Sequence, residues 1–468
     1  MDPDYYLAFD IGASSGRAIA GWLDEGGRLR TEELYRFENG FTRVGDGYYW
    51  DYMRLYREML RALQVCRQRA MRLRCIAIDT WSQDSAFVGP HGDVLALPRC
   101  YRDPLFAAHA DEADALCGDA FSFYRRCGQR KTAISTLRQL NFYRTHRPEL
   151  VQAADTFLFI PYLLVYLLTG VRGYDSTLPA IGELADVRSG AMSSRTLRQL
   201  GMARLAPQQF AQGEIIGHTN EAVREATGYD AVPVACIHAH DTSSAVAAIA
   251  DPGEFLFVSS GTWSMYGAVL HKLPPAQAVF DAGLCCSPLA DGRTSLLLGS
   301  AGMFVIQQCM REWARQGLSV TYPELTDYAL RYQTDAYFSF SDIPDTAPGF
   351  VDAVRQATEQ TGFAAPDSPQ AVYEVFANSL ARLTVRDLQT VEQALGRTFD
   401  TVYIVGGGSQ AVAVNRRIAA QSGKRVRTGC TEAATVGNLL WQMLACGALS
   451  SPAQALEVSR RSFPMIEF

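Results

Sequence analysis

Short apolar runs that end abruptly in polar or glycine-rich residues recur along the chain. Runs such as Tyr6–Phe9 and Cys75–Ile78 are typical of short buried strands. Similar runs follow at Val232–Ile237, Phe255–Val258 and Thr401–Val405. Segments with apolar residues at helical spacing lie between them. This alternation predicts an α/β protein rather than an α+β or all-β protein.

The helical segments are predicted from apolar residues three and four positions apart. One helix begins near Asp51, the alanine-rich Ser243–Ala250 forms another, a long helix covers 369–395, and a further helix begins near Glu432. The most apolar stretch, Phe157–Leu168, is too short to cross a bilayer. We therefore predict a buried helix there, and no membrane partner.

Length and composition predict two domains of ordinary composition. A chain of 468 residues exceeds one ordinary hydrophobic core. Asp251-Pro252-Gly253 interrupts the pattern, so we predict an N-terminal domain over 1–250 and a C-terminal domain over 251–468. The net charge of −6 disfavours nucleic acid as a partner. The acidic start is unlike a signal peptide and the eleven cysteines lack paired spacing, so we expect a cytoplasmic protein with reduced thiols.

Sequence patterns that mark the common metal and nucleotide sites are missing. Without CxxC or HExxH, a structural or catalytic zinc site is not expected. None of the three lysines, Lys131, Lys272 and Lys424, follows the glycine spacing of a P-loop, which excludes that class. A phosphate site in this chain must therefore use backbone amides, hydroxyls, arginine and a metal.

Two turns rich in glycine and hydroxyl residues follow apolar runs at either end of the first half. In the first turn, residues 10–17, amides and hydroxyls suit a phosphate and Arg17 can balance its charge. Asp10 at the strand end is a candidate Mg²⁺ ligand. The second turn covers 259–264. Two such turns favour two related domains that bind one nucleotide for phosphoryl transfer. An ordinary glycine hairpin remains the alternative for the first.

Further polar clusters follow other strands, where α/β sheets bind their ligands. Asp241 is the candidate general base for a sugar hydroxyl, although it would also suit a helix cap. His240 is a candidate to bind a substrate hydroxyl, with a buried structural role as the alternative. The glycines at 406–408 offer a flat surface to adenosine.

The order of these motifs is similar to that in the FGGY carbohydrate kinases, and among them to the rhamnulokinases. The likeness runs from Leu7 to about Met443, and its motifs are DIGASSGR, IDTWSQD, CYRD, HDTSSAV, SSGTWS, VGGGSQ and TEAATVGN. It implies two actin-like (ribonuclease H-like) α/β domains with an ATP cleft between them. It also implies Mg²⁺-dependent transfer of the ATP γ-phosphate to a ketose hydroxyl. Sugar and ATP are then the ligands, and homodimer and monomer both stay open.

The resemblance also implies roles for individual residues. Asp241 matches the catalytic base, His240 and Thr242 match its substrate neighbours, and Ser82 and Gln83 fall in the substrate loop. The nucleotide-binding residues that it implies are Ala13, Ser14, Ser15, Gly16, Arg17, Thr262, Gln307, Gly406, Gly407 and Gly408.

The motifs on the sugar side depart from those of rhamnulokinases, whereas the ATP motifs are intact. Residues 79–85 read DTWSQDS where rhamnulokinases commonly read DTWGVDF, so Ser82 replaces a glycine and Gln83 resembles xylulokinase-type members. Pro104–Phe106, Gly299 and 176–181 differ as well. We expect a ketose kinase that converts L-rhamnulose to L-rhamnulose 1-phosphate, with another ketose or a polyol (L-fuculose, xylulose or ribulose) as the open alternative. An actin-like nucleotide switch and a pseudo-kinase are the alternatives.

Overall fold

The chain divides into two compact units in a computed structural model, which describes residues 3–274, 276–344 and 347–468. The first unit comprises Met1–Pro252, His271–Ser295 and Ala433–Phe463, and the second comprises Gly253–Leu270, Leu296–Glu432 and Pro464–Phe468. Met1 and Asp2 of the acidic start lie outside the described residues. The functional domains 1–250 and 251–468 stay predictions, since the first unit also includes two later segments.

Strands and helices alternate before residue 250. The strands are β1 (Asp4–Ile11), β2 (Ser15–Leu23), β3 (Leu29–Glu38), β4 (Phe41–Val44), β5 (Gly47–Trp50), β6 (Arg72–Thr80), β7 (Ser85–Val88), β8 (Thr156–Phe159), β9 (Gly173–Tyr174), β10 (Gln208–Gln209), β11 (Ile215–His218) and β12 (Pro233–Ala235). The helices are α1 (Tyr52–Gln68), α2 (Pro104–Ala108), α3 (Asp114–Cys117), α4 (Ala120–Cys127), α5 (Thr136–His146), α6 (Pro148–Ala153), α7 (Ile160–Thr169), α8 (Thr177–Ile181), α9 (Ser194–Gln199), α10 (Glu221–Thr227) and α11 (Asp241–Ala247). Short 3₁₀ helices cover Ala110–Ala113 and Ala203–Leu205.

The same alternation continues after residue 250. The strands are β13 (Phe255–Ser260), β14 (Trp263–Leu270), β15 (Cys285–Pro288), β16 (Thr294–Ala301), β17 (Thr401–Val405), β18 (Arg425–Thr428) and β19 (Ile466–Glu467). The helices are α12 (Ala276–Asp281), α13 (Phe304–Arg315), α14 (Tyr322–Arg331), α15 (Phe350–Gln360), α16 (Pro369–Leu395), α17 (Val412–Ser422), α18 (Ala433–Ala445) and α19 (Pro452–Ser462). Two further 3₁₀ helices cover Phe340–Asp342 and Gly407–Gln410.

The sheet of the first unit has the strand order β11-β12-β6-β1-β2-β3. β1, β6 and β12 are parallel, whereas β2 pairs with β1 as an antiparallel hairpin. The register places Asp10 of β1 beside Arg17 on β2 and beside Asp79 on β6. Paired residues on neighbouring strands project to the same face of a sheet, so these three polar residues share one face.

The sheet of the second unit repeats this arrangement. Its strands follow the order β16-β14-β13-β17-β18-β19. β13 forms an antiparallel hairpin with β14 and runs parallel to β17, which in turn runs parallel to β18. In each unit, therefore, two further parallel strands follow the first strand of the hairpin in the sheet. They are β6 and β12 in the first unit and β17 and β18 in the second.

Apolar side chains cover both faces of β1, because Leu7, Phe9 and Ile11 are fully buried and Ala8 between them is buried as well. α18 packs against β1, β6 and α11 within the first unit. Gly437 makes that approach possible, because a Cβ there would lie 2.0 Å from the carbonyl oxygen of Ser244. Residues from the end of the chain are in this way brought to the ends of the first strands.

Most of the predicted elements are confirmed, including the strand at 75–78 and the helices at 52–68 and 369–395. The prediction of one helix over Phe157–Leu168 is wrong at its start. Residues up to Phe159 belong to β8, which pairs with β7, and α7 begins at Ile160 with Pro161 in its first turn. Pairing with a neighbouring strand decides the structure of this apolar run. Among the described helices, none has the length and apolar character that a membrane span requires.

Candidate active site

The turn between β1 and β2 has its shape fixed through its carbonyl groups. Gly12 donates its amide to the carbonyl of Ser15 at 2.9 Å. Asn39 donates its side-chain amide to the carbonyl of Gly12 at 2.7 Å and its backbone amide to that of Ser14 at 3.0 Å. The backbone amides of Ala13 and Ser14 have no hydrogen-bond partner within the described part of the chain. Such a turn can offer them to an anion.

Gly16, which lies on β2 directly after this turn, has a packing role in the structure. A Cβ at Gly16 would lie 2.2 Å from the ring of Phe37, whereas one at Gly12 would meet only the carbonyl oxygen of Ser15, at 3.5 Å. Gly16 therefore makes room for an aromatic side chain on β3. Arg17 donates to Oδ2 of Asp10 at 3.0 and 3.2 Å, and its side chain is 26% exposed.

Asp10, Asp79 and Asp241 form an acidic cluster in the first unit, and the pKa values of Asp10 and Asp79 are raised. Burial raises the pKa of Asp79 well above its usual range, and repulsion from Asp10 and Asp241 adds to this. Burial also raises the pKa of Asp10, where the charge of Arg17 opposes the shift and Asp241 supports it. Oδ2 of Asp79 accepts a hydrogen bond from Asn438 at 2.6 Å, while its buried Oδ1 has no partner among the described residues. The cluster can bind a cation or retain a proton.

Asp241 is the first residue of α11 and directly follows His240, which forms an isolated β-bridge with Thr80 at the end of β6. Thr242 donates both its amide and its hydroxyl to Oδ1 of Asp241. Oδ2 has no partner within the described part of the chain, and the side chain is 36% exposed. One carboxylate oxygen is thus oriented and the other is available.

His240 is buried beside Asp241 and is connected to the protein on both sides of its ring. Nδ1 lies 3.0 Å from the Ser243 hydroxyl and Nε2 lies 3.4 Å from Oδ1 of Asp241. Burial lowers the pKa of His240, partly offset by the charge of Asp241, so the neutral ring is favoured. Its backbone amide donates to the hydroxyl of Thr177, which itself donates to buried Asp175. His240 and Thr242, the neighbours of Asp241 in the sequence, therefore both have polar atoms beside Oδ1 of Asp241.

The loop after β6 contains the predicted substrate residues Ser82 and Gln83. Ser82 is buried, and the buried Oε1 of Gln83 has no partner among the described residues. The backbone carbonyl of Gln83 accepts from the Thr136 hydroxyl at 2.7 Å, at the start of α5. Next to them, Oδ2 of Asp84 accepts from Trp50 at 2.5 Å and from Trp81 at 2.9 Å. Donors therefore hold the loop from several elements.

In the second unit, the turn between β13 and β14 is also fixed through its carbonyl groups. Met303 donates its amide to the carbonyl of Gly261 at 2.9 Å, and Phe304 donates to that of Thr262 at 3.0 Å. The hydroxyl of Thr262 donates to Oε1 of Gln307 at 3.2 Å, on the first turns of α13. Two predicted nucleotide residues, 45 positions apart, are thus neighbours.

The three predicted adenosine glycines have different surroundings. Gly406 has a φ of 81°, and a Cβ there would lie 2.7 Å from the carbonyl oxygen of Ser260. A Cβ on Gly408 would lie 2.0 Å from the Ser260 hydroxyl, whereas one on Gly407 would meet nothing within 4 Å. Gly406 and Gly408 allow β13 and β17 to approach each other, and Gly407 is the member with an open face.

Sequence reasoning missed several groups that complete these arrangements. Asn39 holds the first turn, Thr435 donates to Asp10 at 3.1 Å, and Asn438 donates to Asp79. Thr435 and Asn438 lie in the motif TEAATVGN, which supports the family resemblance but was given no role in the site. Their spacing of three residues on a predicted helix places both side chains on one face, and this is the sequence signal that could have identified them.

A cavity of about 700 Å³ in the first unit lies next to the segment that contacts His240, since Ser176 in its lining precedes Thr177. Its lining includes Ser176, Arg188, Gln212 and Arg293, and none of the predicted catalytic or substrate residues contributes to it. The volume of a cavity therefore does not identify the candidate active site.

Family models cover nearly the whole chain. Residues 5–248 match the N-terminal domain of the FGGY family of carbohydrate kinases, and residues 256–446 match its C-terminal domain.

Individual relatives agree with this match. The rhamnulokinase of Bacteroides thetaiotaomicron is 30% identical over 98% of this chain and 94% of its own length. That of Klebsiella pneumoniae is 30% identical over 100% and 95%. Among solved structures, Plasmodium falciparum glycerol kinase with ADP has a TM-score of 0.78 at 13% identity, covering 99% of this chain and 94% of that chain. Xylulose kinase from Rhodospirillum rubrum has a TM-score of 0.77 at 14% identity, covering 99% and 93%.

The matched models, the full-length relatives and the repeated sheet confirm the predicted family and the α/β fold with two actin-like domains. They favour a sugar kinase over the nucleotide switch. The chain belongs to the FGGY family of carbohydrate kinases and is an ATP-dependent sugar kinase.

Proposed function

We propose that this kinase phosphorylates a ketose, with L-rhamnulose as the first candidate and L-rhamnulose 1-phosphate as the product. The full-length relatives named rhamnulokinase support this substrate. The geometric observation that carries the reaction is Asp241, a half-exposed carboxylate with one oriented and one available oxygen.

Asp241 acts as the general base in this proposal. Its free Oδ2 accepts the proton of the sugar hydroxyl while that oxygen forms a bond to the γ-phosphorus of ATP. The bond between the γ-phosphorus and the β–γ bridging oxygen breaks, and ADP leaves with its electron pair. Thr242 holds Oδ1, so the carboxylate keeps its direction as charge moves.

His240 and Thr242 belong to the sugar side, together with Ser82 and Gln83. A neutral His240 places no positive charge beside Asp241, so it does not weaken this carboxylate as a base. The unpartnered Oε1 of Gln83 is an acceptor for a sugar hydroxyl. A sugar of the wrong stereochemistry leaves such a group unpaired, at a cost of ~1–3 kcal/mol for each contact.

The nucleotide is assigned to the two hairpin turns and the glycine turn. The free amides of Ala13 and Ser14, with the hydroxyls of Ser14 and Ser15, suit phosphate oxygens. In the second unit, Thr262 and Gln307 offer neutral hydrogen-bonding groups, and the open face of Gly407 suits the adenosine. Gly406, Gly408 and Gly16 contribute through packing.

The carboxyl cluster fits Mg²⁺, the metal that we assign to this reaction. Magnesium prefers oxygen ligands, and the buried Oδ1 of Asp79 lacks any partner among the described residues. Asp10 and Asp79 would hold the ion directly or through water, and its charge would favour the ionised form of these two carboxyls, whose pKa values are raised by burial. When bound with ATP, Mg²⁺ supplies charge neutralisation at the phosphates. Arg17 keeps Oδ2 of Asp10 occupied, which leaves the other carboxylate oxygens for the metal.

The test is an ADP-release assay with Mg-ATP and a panel of ketoses. The panel contains L-rhamnulose, L-fuculose, L- and D-xylulose, L- and D-ribulose and D-tagatose, with glycerol and a no-sugar control. We expect the highest kcat/KM with L-rhamnulose and a phosphate on O1 of the product by NMR. A higher kcat/KM with xylulose would assign that substrate instead, in line with Gln83. Release that no sugar increases would contradict the proposed substrate class. Asp241→Asn serves as the matched inactive control.

A further inference from the structure

A cluster of two histidines and one glutamate lies on the first unit, outside the residues assigned to the reaction. His109 directly follows α2, Glu112 lies one turn later in the 3₁₀ helix, and His146 is the last residue of α5. His109 is the N-cap residue of this 3₁₀ helix, and its carbonyl accepts from the amide of Glu112, so the two residues lie one turn apart. His146 comes from 34 residues further along the chain.

The donor atoms of the three side chains converge. Nδ1 of His109 lies 2.7 Å from Oε1 of Glu112, and Nε2 of His146 lies 2.8 Å from Oε2. The ring centroids of the two histidines are 4.3 Å apart. Ligand atoms from all three residues lie within 4.8 Å of one another. Donors around a tetrahedral Zn²⁺ are about 3.3 Å apart for bonds of this kind, so a small side-chain movement suffices.

Contacts that do not involve the donor atoms already hold this arrangement. Phe142, one turn before His146, packs against the rings of His109 and His146 at 5.5 and 5.0 Å. Arg138, on the same helix, donates to the carbonyl of Ala110 and, at 2.8 Å, to the carboxylate of Asp114. The 3₁₀ segment is therefore fixed on α5 on either side of Glu112. Preorganised ligands of this type lose little freedom when a metal binds.

Accessibility favours a ligand that arrives from solvent. The side chains of His109, Glu112 and His146 are 31%, 38% and 34% exposed. Water can complete the coordination of an ion there. The donor set also differs in kind from the oxygen-only cluster of Asp10, Asp79 and Asp241, because imidazole nitrogens select Zn²⁺, Co²⁺, Ni²⁺ or Cu²⁺ over Mg²⁺.

We propose that His109, Glu112 and His146 form a binding site for a transition-metal cation of the Zn²⁺ type, separate from the Mg-ATP site. The ion joins the segment after α2 to the end of α5 and stabilises that junction. The sequence did not predict this site, because its histidines are distant in the chain and follow neither CxxC nor HExxH.

The test uses the full-length protein after chelator treatment, titrated with Co²⁺ and with Zn²⁺ in millimolar Mg²⁺, which occupies the oxygen-only cluster. We expect one Co²⁺ per chain with visible absorption bands and without the ultraviolet band of thiolate ligands. The double variant His109→Ala/His146→Ala is expected to bind at least about tenfold more weakly. Zn²⁺ is also expected to raise the unfolding temperature of the unmodified protein and not that of the double variant.

Two further variants make the result decisive. His91→Ala removes an exposed histidine elsewhere and should leave the affinity unchanged. Glu112→Gln keeps both imidazoles and should weaken binding by less than the double variant does. Equal affinity in the unmodified protein and in a correctly folded double variant would overturn the proposal. No binding by the unmodified protein at all would overturn it as well.

Discussion

The two sheets carry different side chains at matching positions of one framework. In the first sheet, Asp10 on the central strand lies between Arg17 and Asp79. In the second sheet, the central strand has Ser259 at this position, between Met265 and Val405. The same hairpin with parallel neighbours thus supports a charged cluster in one unit and uncharged residues in the other.

The hairpin turns differ in the same way. Asn39 holds the carbonyls of the first turn with its side chain and backbone, whereas the backbone amides of Met303 and Phe304 hold those of the second. The carbonyl groups of the two turns are therefore held by different donors, although both turns join the strands of a similar hairpin. In the proposed function, the general base and the charged cluster accordingly belong to the first unit, and the second unit contributes neutral groups to nucleotide binding.

The largest effect is expected from Asp241→Asn. The amide can no longer accept the proton of the sugar hydroxyl, so kcat should fall by about two to four orders of magnitude while the KM for ATP changes little. Steady-state kinetics with the best ketose measures both. Asp230→Asn, at an exposed site of the same unit, should be neutral. Near-normal turnover of Asp241→Asn would break the assignment of chemistry to the first unit.

A second test concerns the buried acid next to the substrate loop. Burial raises the pKa of Asp84 from 3.8 to about 6. Because the folded pKa is raised, the contribution of this carboxyl to stability is fully present below about pH 4 and is lost as the pH rises through 6. Relative to Asp84→Asn, the unmodified protein should lose up to about 3 kcal/mol over this range.

Tryptophan fluorescence can follow this ionisation directly, since Trp50 and Trp81 donate to the Asp84 carboxylate. We expect a titration near pH 6 in the unmodified protein that is absent from Asp84→Asn. A titration near pH 4 instead would mean that this acid ionises as an exposed one does, and identical profiles would mean that it does not ionise over the range.

Arg17→Ala tests the positive charge within the acidic cluster. Its loss should lower kcat by about tenfold to a hundredfold, because the charge matters most when the phosphoryl group is in transfer. The affinity for sugar should change less. Arg30→Ala removes an exposed arginine from the neighbouring strand β3, where it pairs with Asp24, and serves as the control. A change confined to the sugar KM would place Arg17 on the sugar side instead.

The smallest effects separate packing from recognition in the second unit. Gly408→Ala places a methyl group against Ser260 and should cost about 1–3 kcal/mol of stability. Gly407→Ala meets open space, so we expect less than about 0.5 kcal/mol. If the adenosine lies on Gly407, its variant should still raise the KM for ATP. Urea unfolding and ATP kinetics compare the pair, and an unchanged KM for Gly407→Ala would remove that glycine from the nucleotide site.

Strand ends could be predicted from the sequence because each apolar run stops at a polar residue. Asp10 and Asp79 follow from this pattern, and their register as neighbours follows from the parallel pairing. The meaning of single glycines could not be predicted. Gly16 and Gly408 fitted a phosphate or adenosine turn by composition, but their partners, Phe37 and Ser260, come from other strands.

Site residues that are distant from each other in the sequence could not be predicted either. Thr435 and Asn438 reach Asp10 and Asp79 across 425 and 359 residues. No local pattern marks such a contact, because it depends on where a helix packs. The roles of the individual site residues stay predictions until the variants above are measured.

The packing of α18 determines when during synthesis the acidic cluster can form. Asp79 receives its amide donor from Asn438, and Gln442 of the same helix donates to the carbonyl of Leu7 on β1. The first strand therefore has all these partners only once residue 442 has been synthesised. A chain that ends before Ala433 lacks both the donors of α18 and the helix that packs on β1 and β6. We expect Asp10 and Asp79 in such a chain to be open to water, so that the cluster does not form.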